Sequence, residues 1–159
     1  MSIAKRNPLL AEKIKQMRLN IAPIVHIYTG QCPPEFPSTL LELFLLTEDE
    51  LDSMAHFYAQ IYPDETTNLY PQVMDFNQPY LSRPTEGDDL PDSCRMTSYE
   101  RLRVKMRIFA RFIGMRGAET PRWEYERQMD IIVARIEHEV QEEQRAMSTK
   151  SYRGLTMYP

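Results

Sequence analysis

Residues 97–113 read Thr-Ser-Tyr-Glu-Arg-Leu-Arg-Val-Lys-Met-Arg-Ile-Phe-Ala-Arg-Phe-Ile. Thr97 and Glu100 have the spacing of a capping box, in which a hydroxyl and a carboxylate satisfy the free N–H groups at a helix start. From there Leu102, Met106, Phe109 and Ile113 recur as one apolar stripe at helical spacing. Val104, Ile108 and Phe112 make a second stripe on another side. Gly114 and Gly117 follow as positions that can end the helix. A helix that is apolar on two sides packs from both sides, either centrally in a fold or at an oligomer interface. This stretch puts the chain in the all-α class.

Downstream, Thr120-Pro121 repeats a cap-then-proline start. The helix it opens is expected to run to about Met147, roughly 40 Å at 1.5 Å per residue. Its stripe is Met129, Ile132, Ile136 and Val140, with Trp123 and Tyr125 near the start. Beyond Val140 the apolar face fades into Gln141-Glu142-Glu143-Gln144-Arg145, so the end of the helix is expected to project. Residues 148–159 read as a tail that Tyr152 and Tyr158 could dock.

Upstream, Thr47-Glu48-Asp49-Glu50 is the clearest capping box, with Leu46 and Leu51 placed as a hydrophobic staple. Leu51, Met54, Phe57 or Tyr58, and Ile61 supply its buried face, and Pro63 ends it. Ser38 is expected to cap a short helix through Leu46 that is apolar almost all round. The first helix is expected to start at Asn7-Pro8, with Leu10, Ile14, Met17 and Ile21 as its stripe. Residues 24–29, Ile-Val-His-Ile-Tyr-Thr, suit a short strand or an irregular buried segment, and no partner strand is evident.

Between these helical blocks, Pro63, Pro71, Pro79, Pro84 and Pro91 interrupt every possible helix. Residues 63–97 therefore read as an extended arm, pinned by its aromatics, with an acidic turn-rich tip at Asp88, Asp89 and Asp92. The expected architecture is a bundle of four to five helices. It has a long antiparallel C-terminal hairpin formed by 98–113 and 120–147 and a proline-rich extended arm. Residues 1–147 form one helical domain.

The 159-residue chain carries twelve prolines against five glycines and a net charge of −4. That charge alternates by block. Residues 47–97 hold two Lys/Arg against eleven Asp/Glu, whereas residues 98–117 hold six against one. The longest apolar run, Leu43–Leu46, is far short of the ~20 residues needed to span a bilayer. No signal-peptide pattern opens the chain. An intracellular location, cytoplasmic or nuclear, is the expectation, with no membrane partner. Cys32 and Cys94 are too few and too far apart for a zinc pattern or a disulfide framework.

Chemistry-bearing candidates are sparse. Arg101, Arg107, Arg111 and Arg116 could meet phosphates, although the acidic helix that follows is expected to pair with this basic one. Gly114-Met115-Arg116-Gly117 has the form of the loop with which KH domains clamp a nucleic-acid backbone. Its long flanking helices favour a helix-ending turn instead. His26, His56 and His138 form no metal-ligand pair, and only Glu142, one turn from His138, offers a neighbour. No nucleophile elbow, phosphate loop or dinucleotide fingerprint is present. No catalytic residue, metal or cofactor is assigned.

Ten methionines and nine tyrosines suit adaptable contact surfaces. The reading is a non-enzymatic protein–protein interaction module that associates with itself as a homodimer, with Val104, Ile108, Phe112, Tyr152 and Tyr158 as interface candidates. The alternatives are a nucleic-acid binder using the basic 101–116 helix and a small helical enzyme or ligand-binding protein with an aromatic-lined pocket.

Overall fold

The computed structural model describes residues 3–154, with side chains from Lys5 to Lys150. The fold is all-α, and no strand occurs among the described residues. The α-helices are α1 (Ile3–Arg6), α2 (Pro8–Met17), α3 (Leu40–Phe44), α4 (Glu48–Phe57), α5 (Ser98–Phe112) and α6 (Arg122–Gly154). Short 3-10 turns at Thr67–Leu69, Pro79–Leu81 and Asp92–Cys94 punctuate the arm. The chain divides into two compact units, Met1–Gln78 with Ser98–Glu119, and Pro79–Thr97 with Thr120–Pro159. The two helices read above as a hairpin belong to different units.

In the first unit, the helix starts follow the caps in the sequence. The Asn7 side-chain oxygen accepts the Leu10 N–H at 3.0 Å, and Pro8 occupies the first turn of α2. Both halves of the Thr47–Glu50 box form at the start of α4. The cap of α3 is Thr39 rather than Ser38. Ser38 instead donates both its N–H and its hydroxyl to the Glu42 carboxylate. The leucine-rich α3 is not buried all round. Leu43 and Leu46 are inside, while Leu41, Phe44 and Leu45 are exposed, because a helix this short meets the core along one side only.

The core of this unit is aromatic. The Tyr58 and Phe112 rings lie 5.0 Å apart, and each also meets the Tyr70 ring, at 5.4 and 5.5 Å. Tyr58 donates its hydroxyl to the Ile24 carbonyl, and the Tyr70 hydroxyl accepts the Ile27 N–H at 3.3 Å. These bonds explain why 24–29 is irregular. Its backbone groups pair with tyrosine hydroxyls in place of a strand. Burial pushes the Tyr58 phenol far above its ordinary range, with the nearby Cys32 and Tyr70 groups adding to the rise, so it stays a neutral donor. The first half of the arm is pinned as expected, with Tyr70, Met74 and Phe76 buried. The buried Gln60 amide fastens it by donating to the Thr67 carbonyl and accepting the Met74 N–H.

Two helices end in the same way. After α5, Gly114 (φ 84°) and Met115 send their N–H groups back to the carbonyls of Arg111 and Ala110, which is the Schellman arrangement. After α4, Ala59 and Gln60 do the same toward His56 and Ala55, but Ala59 holds φ at 55° with a Cβ. That conformation is unfavourable for any residue but glycine. Ala59→Gly is therefore expected to raise stability by about 0.5–1 kcal/mol in urea unfolding. A loss of stability would show that the Ala59 methyl matters more for packing than for backbone strain.

In the second unit, the Asp92–Cys94 turn packs on α6. Arg135 donates to the Cys94 carbonyl through Nε and to the Pro79 carbonyl through Nη2, both at 2.8 Å. Arg127 donates to the Arg95 carbonyl. The acidic tip is tied down rather than loose. Asp88 accepts the Leu90 N–H and pairs with the buried Arg95 guanidinium at 2.8 Å. Those two contacts hold its carboxyl below the usual range. Helix α6 continues past Met147 to Gly154. Residues 141–150 contain no glycine or proline to stop it, and loss of the apolar stripe does not end a helix made of good helix formers.

Candidate functional site

The interface candidates on α5 are inside the chain. Val104, Ile108 and Phe112 are 0%, 9% and 1% exposed, so they form core and offer no docking face. The second stripe of that helix is real, but it is covered within the chain itself. The Tyr152 side chain and Tyr158 lie outside the described residues.

The basic set converges only in part, since Arg107 and Arg116 line one groove together with Arg103 while Arg101 and Arg111 do not. Arg101 is buried and donates through Nε to Glu48 at 2.9 Å. Lys105, buried beside it, bridges Glu48 at 2.9 Å and Asp52 at 2.7 Å. Helix α4, which precedes α5 in the sequence, thus supplies carboxylates to Arg101 and Lys105. Burial tends to raise the Glu48 carboxyl, but hydrogen bonds from Arg101 and Lys105 and their charges outweigh it and hold the group low. Arg107 is half-buried and donates to the Ala118 carbonyl at 3.4 Å. Arg111 and Arg116 are exposed.

The histidines are scattered. The His26 ring stands edge-on to Phe57 at 5.6 Å, and the His56 ring meets Tyr62 at 5.5 Å. His138 shares a polar cleft with Asp89, Glu142 and Arg145, where Arg145 is bonded to Glu142 at 2.9 Å. Among the described residues no group of three or more His, Cys, Asp or Glu is placed to hold a metal ion. No helix among them is long and apolar enough to cross a membrane.

The feature that stands out lies on α6. Tyr125, Met129, Ile132, Val133, Ile136, Val140 and Met147 are all 46–70% exposed. At 100° per residue they fall within about 60° of Met129 and form one seam along the helix. The steps 125, 129, 132 and 136 alternate four and three residues, the spacing with which helices meet in coiled coils. The buried members of this helix, Glu124 and Ile131, lie on the far side, together with Arg127 and Arg135. Helix α6 therefore turns a largely polar face toward its own unit and its apolar face outward. Periodicity identified the stripe in the sequence. It could not say which side would be covered, because the inward attachment is made by arginines reaching backbone carbonyls.

No family model, curated protein or solved structure matches this chain.

Proposed function

We propose that this protein is a non-enzymatic interaction module that associates with a second copy of itself through the outward seam of α6. The seam is the observation that carries the reading. Each of its side chains is about half exposed, so each retains roughly half of the ~1.5–3 kcal/mol that full burial of a large apolar group contributes. Contiguous exposed apolar surface of this length is uncommon on a protein that acts alone.

A second copy fits because the seam is complementary to itself. An antiparallel register that sets Met129 against Ile136 also sets Ile132 against Val133, Tyr125 against Val140 and Arg122 against Glu143. A twofold axis repeats each pairing. The acidic flanks, Glu126 facing Glu139 among them, weaken the pair at low salt, so association should strengthen as salt screens them.

The test is solution mass by light scattering after size exclusion at tens of micromolar protein, on the wild type and on Ile132→Asp and Ile136→Asp. The wild type is expected to be a dimer and both variants monomers, with unchanged helical circular dichroism because the seam carries little of the fold. A wild-type monomer at that concentration, or a dimer that survives both substitutions together, overturns the reading.

A further inference from the structure

The flanks of the α6 seam carry charge of one sign. Between Tyr125 and Met147 the acids Glu126, Asp130, Glu137, Glu139 and Glu143 are all exposed. They fall within about 100° of Met129 around the helix. The arginines of the same span, Arg127, Arg135 and Arg145, lie about 120° or more away, on the opposite half. The outward half of α6 therefore holds carboxylates and no cation over about 33 Å. Just before this span, Arg122 is bonded to Glu126 at 2.8 Å, with both side chains exposed. Such a pair holds little energy and leaves both groups in water.

Solubility alone does not call for this pattern, because charges of both signs interspersed keep a surface wet. Flanks of one sign beside an apolar seam set partner choice instead, as the e and g positions do in coiled coils. A second copy brings its own Glu126 and Glu139 against the same acids. A helix with the same apolar spacing and Lys or Arg at its flanks replaces that repulsion with attraction.

We propose that the preferred occupant of the α6 seam is a basic amphipathic helix of a partner protein, about three heptads long, which displaces the second copy. The proposal rests on the reading of the seam as a helix-contact face and adds an exchange of partners to it. Charge complementarity selects a cationic helix. It turns away nucleic acid and anionic lipid surfaces, which carry the same sign as the flanks. The apolar spacing selects a helix over an extended peptide, because alternating steps of four and three residues match another helix and not the two-residue period of a strand.

The test is fluorescence anisotropy on the whole chain with a labelled peptide of three heptads, Ile and Leu at the a and d positions and Lys at e and g. One control peptide carries Glu in place of Lys, and another carries Ala in place of Ile and Leu. Saturable binding of the first peptide is expected, about tenfold or more tighter than either control at low salt. That binding should weaken as salt rises, opposite to the salt response expected of the second copy. Glu139→Lys with Glu143→Lys, both at exposed positions, should weaken it by a similar factor with unchanged helical circular dichroism. Light scattering of the mixture should show the dimer giving way to one chain with one peptide. Absence of saturable binding, equal binding of the Glu peptide, or undiminished binding of the Ala peptide each overturns the proposal. So does a dimer that binds the peptide without dissociating. The mass without peptide separates the two readings. A monomer that binds the Lys peptide as described overturns self-association and supports the basic partner, whereas a dimer that ignores the peptide overturns the partner alone.

Discussion

Lys105→Met is expected to destabilise the first unit by about 3 kcal/mol or more, read from urea unfolding near neutral pH. The ammonium is 5% exposed and sits between the Glu48 and Asp52 carboxylates, with the Phe76 ring 5.6 Å away. Removing it takes one cationic partner from the largely covered Glu48 carboxylate, which is costly. Asp52 is partly open to water, which keeps the expected loss near the lower end of the range for broken buried pairs.

The same site sets a pH dependence. Glu48 is held below its ordinary value in the folded protein. Its contribution is therefore present above the usual carboxylate range and is lost as pH falls through the lowered folded value. The stability gap between wild type and Lys105→Met should accordingly narrow toward acid. A gap that stayed constant from pH 7 to about pH 3 would show that packing of the lysine stem, and not its charge, carries the effect.

Phe112→Ala is the second large effect, expected at about 3–5 kcal/mol. Phe112 is 1% exposed, and its ring meets those of Tyr58, Tyr70 and Phe109. Truncation removes one side from each contact and leaves a cavity that the stiff neighbouring rings cannot fill. Phe112→Leu should cost clearly less, because most of the volume is restored. Thermal and urea unfolding of the two variants measure the difference. An alanine variant within about 1 kcal/mol of wild type would place the centre of the core elsewhere.

The parts of the fold that were legible in the sequence depend on near neighbours. The Thr47–Glu50 box, the Asn7 cap and the glycine after α5 each involve residues within one helical turn, where spacing alone specifies the geometry. The pinning of 63–78 was legible because five prolines forbid a helix across 63–97 while the aromatics still need cover. What was not legible requires partners far apart in the chain. Glu48 meets Arg101 and Lys105 across more than fifty positions, and nothing local in the sequence brings those residues together. The stripe on α5 was visible, but its assignment to an interface failed because spacing does not reveal what covers a face. The same limit applied to α6 in reverse. Its apolar stripe looked like core, yet the inward side is held by Arg127 and Arg135, whose role is apparent only once the carbonyls of 79–97 are in place.

The Arg135 side chain reaches Pro79 with one nitrogen and Cys94 with another, so both ends of the intervening stretch are fastened to a single point on α6. The anchorage of those ends does not pass through the tip, where Asp88 is held separately by Leu90 and Arg95. Gly87, exposed and at φ 82°, is where extra residues could enter. Each doubling of a flexible loop adds only about 0.6 kcal/mol of closure entropy, so a foreign sequence grafted there would be displayed on the helix without loosening its base.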